Sequence, residues 1–172
     1  MGLHLDDYHQ AVKDYVLSEC AFLNSVEDYP EEGDTVAGPC AFFGVVDWDR
    51  SEDQRMNGEL SVVLNCQLLI LFGQAGQVSS RSIRNAAMAV ALKIDEQRFG
   101  LDVEPAQFIS AEPWAFDPNF DQYVVWAVNF SHVVEVGEDQ FDLMPDFLPT
   151  DVRVGIAPEI GVDNSDAYEQ VE

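Results

Sequence analysis

The chain has 172 residues, 47% of them apolar and 11% aromatic, and its 32 Asp and Glu against 8 Lys and Arg give a formal charge of −24. That length suits one core plus tails, and the apolar fraction excludes a wholly disordered chain. The charge repels nucleic-acid phosphate and anionic membrane, which argues against binding by phosphate neutralisation, although an acidic wall lets a passing duplex slide without sticking. A need for solubility, or a high-salt habitat, explains the same acidity. Cys20, Cys40 and Cys66 form no Cys-x-x-Cys pair and read as reduced cytosolic thiols. The most apolar run, Leu68 to Phe72, is far too short to span a bilayer, and Met1 to Leu5 lacks the features of a secretory leader, so neither membrane insertion nor export is expected.

Residues Leu5 to Leu23 place Tyr8, Ala11, Val12, Tyr15, Val16 and Cys20 at helical spacing, with Asp6 and Asp7 in the first turn where the dipole favours them; a helix of about four turns is expected. Ser25 to Pro39, rich in acids, Pro and Gly, reads as a loop. Cys40 to Trp48 is a strand, and Asp47 to Asn57 is the long polar tip of a hairpin leading into the next strand. Trp48 fits two roles there, an exposed anchor or a cap on the end of the sheet.

From Gly58 to Leu71 the side chains alternate. Leu60, Val62, Leu64, Cys66, Leu68 and Ile70 share one face opposite Glu59, Ser61, Asn65 and Gln67, as in a half-buried strand with Cys66 in the core. Ser79 to Phe99 then spaces Ile83, Ala87, Val90, Ala91 and Ile94 as a helical stripe, with Ser79 or Ser80 as N-cap and Gly100 as terminator. Val103 to Phe116, broken by Pro105 and Pro113, is an edge strand, and Asp117 to Asp121 turns the chain into a last long strand, Gln122 to Val136. That strand carries Trp126, Val128, Phe130, His132, Val134 and Val136 on one side. After Gly137, acids mix with Phe141, Leu143, Met144, Phe147 and Leu148 without clear period, Val152 to Gly161 suggests a short strand, and a polar tail follows. Such a segment suits either docking on a neighbouring subunit or wrapping around its own domain.

The expected fold is α+β: an antiparallel or mixed sheet packed against an N-terminal helix and a central amphipathic helix, with a long hairpin and an extended tail. Residues 1–137 form the core domain and 138–172 the acidic C-terminal segment.

Catalytic signatures are missing. No phosphate loop, dinucleotide fingerprint or nucleophile elbow occurs, and His4, His9 and His132 are too scattered for zinc. Asp47/Asp49 and Asp117/Asp121 do not match the twelve-residue calcium loop, and nothing selects one glycosidase-type carboxylate pair from so many. No cofactor is expected. Cations are unevenly spread: four of the eight, Arg81, Arg84, Lys93 and Arg98, fall in the second helical segment. Arg81, Arg84 and Lys93 avoid its apolar stripe, so they suit either contact with an anionic neighbouring copy or ion pairs within the chain.

The order of parts resembles that of phage tail terminator proteins. The resemblance spans about Asp7 to Val171 and rests on the N-terminal helix, the strand Glu59 to Leu71, the helix Ile83-Arg-Asn-Ala-Ala-Met-Ala-Val-Ala-Leu92 leading to Phe99-Gly100, the phrase Glu112-Pro-Trp-Ala-Phe-Asp117 before Val125-Trp-Ala-Val-Asn-Phe130, and Ala157-Pro-Glu-Ile-Gly161 with Tyr168-Glu169. It implies a non-enzymatic virion protein assembled in the host cytoplasm: a ring, usually of six copies, that caps the tail tube, meets tube, sheath and neck or connector proteins, and lets DNA pass only through its lumen. The residues expected at subunit interfaces are Arg81, Arg84, Lys93 and Arg98 on the helix, Trp48, Arg50 and Arg55 around the hairpin, and Phe141 and Phe147 in the tail. Alternatives are another neck or tail-completion protein, an acidic divalent-metal-dependent enzyme or ligand binder, and, third, a nucleic-acid mimic.

Overall fold

The computed structural model describes residues 3–29, 38–74, 79–114, 123–141, 153–154 and 169–170. The chain divides into two compact units, Met1–Asp139 and Gln140–Glu172. The first contains helix α1 (Leu5–Glu19), strands β1 (Val26–Asp28), β2 (Cys40–Arg50) and β3 (Leu60–Gln74), helix α2 (Ser80–Ile94), and strands β4 (Gln107–Trp114) and β5 (Tyr123–Val136). Its sheet runs β1-β2-β3-β5-β4. β1 is parallel to β2 and every other pair is antiparallel, so the fold is α+β with a mixed sheet. In the second unit, β6 (Arg153–Val154) pairs antiparallel with β7 (Glu169–Gln170).

Both helices lie on one face of the sheet. α1 buries Tyr8, Val12 and Val16, one turn apart, and α2 buries Ile83, Ala87, Val90, Ala91 and Ile94. They meet the alternate residues Val62, Leu64, Cys66, Leu68 and Ile70 of β3 and Val128, Phe130 and Val134 of β5 in one apolar cluster. Full burial of side chains of this size contributes roughly 1.5–3 kcal/mol each. The opposite face holds a second cluster, Cys40, Phe42, Leu69, Leu71, Val125 and Ala127, with Trp114 and Tyr123 against it. The end of β3 is therefore buried on both faces, where the expectation was half-burial.

Among the boundaries that differ from the sequence reading, three have a tertiary reason. Part of the expected loop Ser25 to Pro39 is the edge strand β1, drawn into the sheet by Asn24 N–H donating to Pro39 O and Ala41 N–H donating to Ser25 O. α2 stops at Ile94, short of Phe99, because Glu96 N–H donates to Ala106 O and Ala106 N–H to Gln97 O, which folds the chain back toward β4. Phe99 instead turns into the core, its ring 5.3 Å from Tyr15 and 6.1 Å from Phe130, and Gly100 supplies the positive φ (76°) of the tight turn that follows. β2 runs on to Arg50, with an irregularity between Val45 and Asp47. That bulge leaves Val46 without a partner and moves Trp48 to the helix side of the sheet, opposite Leu64. Trp48 is 61% exposed there, beside Leu5 and Leu60, so it lies within a strand and not at the hairpin tip.

The core contains one polar knot. The imidazole Nε2 of His132 donates to the carbonyl of Glu104, which leaves Nδ1 to accept from the Tyr8 hydroxyl at 2.9 Å; Cys66 Sγ lies 3.4 Å from that hydroxyl. All three thiols are free and buried, and burial pushes Cys66 up to about 12 and Cys40 to about 11. Replacing Tyr8 by Phe leaves His132 Nδ1 buried without a donor, so Tyr8→Phe is expected to lower unfolding free energy by about 1–3 kcal/mol in urea titrations.

Burial also holds the His132 pKa below its ordinary value, with Arg98 adding to the effect and the Glu104 carbonyl opposing it. The unfolded chain then takes up the proton first as pH falls below about 6.5, so stability present above that pH is lost down through the lower folded value. Acidification relieves carboxylate repulsion equally in wild type and His132→Gln. The stability difference between the two should therefore shrink from about pH 7.5 to about pH 5.

Candidate functional site

α2 presents two different faces. Ser79 caps it, its side chain accepting from Ser82 N–H, and the stripe from Ile83 to Ile94 fixes which side meets the sheet. Arg81, Arg84, Met88 and Leu92 consequently point outward, Met88 65% and Leu92 74% exposed. Met88 and Leu92 border a shallow apolar groove against Phe108 and Trp126, with Arg84 at its rim. The first turn of α2 has no acidic residue. Arg81 there opposes the helix dipole, which favours carboxylates at that end, and Arg84 follows one turn on.

A cleft of about 1010 Å³ lies beside the other end of α2. It is formed where the polar face of β5 meets the start of β4 and the hairpin tip, and its carboxylates are Asp53, Asp95, Glu96, Glu104 and Glu135. Asp95 Oδ1 accepts from Phe108 N–H at 3.0 Å, tying the helix end to the edge strand. Glu135 is the buried member, only 9% exposed. Its Oε1 receives Arg55 Nε at 3.0 Å, while Arg55 also reaches Glu104 Oε1 at 3.6 Å. Glu135 Oε2 is buried with no hydrogen-bond partner among the described residues. A carboxylate has room for several donors and this one receives few, so the cleft retains an unused acceptor in a strongly negative wall.

The hairpin tip is folded onto its own sheet. Gln54 Nε2 donates to the carbonyls of Ser51 and Ser61, and Asn57 Nδ2 donates to Glu59 and Asp139. The sequence-derived interface residues fall on separate surfaces. Trp48 lines a small apolar groove with Leu3, Leu5, Leu60 and Val136; Arg50 is exposed at the end of β2; Arg55 is engaged in the acidic cleft. Arg81 and Arg84 share the outer side of α2, Lys93 pairs with Glu19 of α1 at 2.7 Å, and Arg98 is exposed beyond the helix end. Phe141 is exposed at the start of the second unit, and Phe147 lies outside the described residues. Among the described residues the lysines and arginines in ion pairs are Lys13, Arg55 and Lys93, and Arg81, Arg84, Arg50 and Arg98 have none.

The acidic cleft was not visible from spacing, because its members come from four separate stretches of chain. Glu135 gave one faint signal, as the lone carboxylate of β5. Asp47, a candidate calcium ligand, instead accepts from Asn65 Nδ2, and Asp117 to Asp121 lie outside the described residues. No group of three metal-ligating side chains comes together among the described residues, and no described helix is long and apolar enough to cross a membrane.

No family model matches the sequence, and neither does any curated protein. The fold has a counterpart among solved structures. A chain of a structure titled "Virion of native gene transfer agent (GTA) particle" matches with a TM-score of 0.52 at 16% identity, over 73% of this chain and 96% of that one. At this identity the likeness establishes the shared fold, and it takes in nearly all of that virion chain.

Removing Arg55 leaves Glu135 buried without its cation. Arg55→Ala is expected to lower stability by about 1–3 kcal/mol in urea titrations. Adding Glu135→Gln to that background should recover about half of the loss, since the neutral amide is less costly to bury; a double-mutant cycle with no coupling would contradict the pairing.

Proposed function

We propose that this protein is a structural component of a phage-like virion, a tail terminator subunit that forms a ring on the end of the tail tube and joins it to the neck. The observation that carries this reading is the fold match to a chain of a virion particle, which covers almost the whole of that chain. The resemblance in order of parts to tail terminator proteins supplies the finer assignment. The surfaces agree with it: an outward α2 with unpaired arginines, an acidic cleft and an exposed Trp48 are features for meeting other macromolecules. The protein acts through these contacts without catalysis, and the acidic exterior keeps DNA from adhering as it passes. A different neck or tail-completion position is the second reading, favoured because the structure that holds the matched chain is named for the whole particle and not for a station within it.

The test is assembly. The purified protein, alone and mixed with polymerising tube protein of the same virion, is examined by sedimentation and negative-stain imaging. Rings, and tubes of defined length bearing a terminal ring, are expected. A species that stays monomeric in both preparations would overturn the reading.

A further inference from the structure

The cationic and anionic surfaces sit at opposite ends of α2. Arg81 lies in the first turn, and Asp95 and Glu96 follow the last. With about 1.5 Å of rise per residue, Arg81 and Arg84 stand roughly 21 and 16 Å along the helix from Asp95, beyond the reach of a side chain in the same molecule. Each surface is nevertheless incomplete. Arg81 and Arg84, three residues apart and so side by side, have no ion-pair partner among the described residues, and Arg81, in the first turn, opposes the helix dipole. Glu135, nine-tenths buried, holds an unpartnered oxygen in a cleft with five carboxylates and one arginine.

We infer that Arg81 and Arg84 of one copy enter the acidic cleft of the next, head to tail. In a chain of charge −24, two copies repel unless cations are concentrated where they touch, and α2 is where the chain concentrates them. Guanidinium suits the task because its planar fork donates to two carboxylate oxygens at once, and Glu135 Oε2 supplies an acceptor already removed from water. Met88 and Leu92, exposed on the same side of α2 as Arg84, give the contact an apolar margin. Because the two surfaces differ, the contact is heterologous: it makes a ring where the rotation closes, and it gives each subunit the same two neighbours. This inference rests on the ring reading and specifies its interface.

A charge swap tests it. One variant carries Arg81→Glu and Arg84→Glu, which favours the helix dipole and so spares folding; the other carries Asp53→Lys, Glu96→Lys and Glu104→Lys at exposed positions of the cleft, which turns it net positive. Each alone, with circular dichroism like the wild type, is expected to lose ring mass in sedimentation at about 0.15 M salt, a weakening of at least tenfold. An equal mixture should regain it, since the variants alternate with every contact attractive. Either variant keeping the wild-type mass alone, or the mixture failing to recover it, overturns the inference. Should a variant misfold, Arg81→Gln with Arg84→Gln must still hold less ring mass than wild type at about 0.05 M salt, with the difference narrowing as salt screens the wild-type contact, or the inference falls. Rings that survive all these changes sink only this interface, whereas a wild type that stays monomeric even with tube protein sinks the ring reading itself.

Discussion

The position of β3, hydrogen-bonded on both sides, is the constraint on which the other elements depend. Its pairing with β5 sets Leu64 opposite His132, Cys66 opposite Phe130 and Leu68 opposite Val128, and its pairing with β2 sets Leu68 opposite Phe43 and Cys66 opposite Val45. A slip of one residue would exchange every side chain between the helix face and the polar face. The helices need that register to hold: Tyr8 of α1 finds Cys66 and His132 together only because both project to its side. The opposite face shows the same order in polar form, where Gln67 donates to Asn129, and Asn129 in turn donates to Ser110 and Glu112.

A chain this acidic folds because its charges are kept out of that core. The buried cluster beneath the helices is apolar apart from the neutral Tyr8–Cys66–His132 group, and the carboxylates among the described residues stand on helix exteriors, loop tips and the outer sheet face. Glu135 is the exception, retained at 9% exposure by Arg55. A buried carboxylate with an arginine supplied from a loop is weak support for stability, since a hydrophobic pair of similar volume usually serves as well. Its presence points to a role for the cleft itself.

The distribution of cations tells the same story from the other side. Lys13 with Asp28 and Lys93 with Glu19 tie α1 to β1 and to α2, which are local attachments at the surface of modest worth. Among the described residues, Arg81 and Arg84 have no such attachment. The positive end of α2 and the negative cleft at its other end are, among the described residues, the two halves of the contact proposed between copies.

Periodicity alone revealed most of the elements. The period-two pattern of β3 and β5, the stripe of α2 and the prolines of β4 identified a helix-on-sheet fold with β4 at the edge, because those patterns are local consequences of which side faces the core. The aromatic and charged contacts were legible only in part. Nothing local marks Val26–Asp28 as a parallel strand, ends α2 before Phe99, or turns Trp48 to the helix side through a bulge, since each follows from a partner far along the chain. The identity and net charge of the residues determined that this chain would form an acidic α+β module with an arginine-bearing helix. Tertiary structure decided that Asp53, Asp95, Glu96, Glu104 and Glu135 would meet in one cleft, because charges remote in sequence become neighbours only when the strands and loops that carry them are brought together.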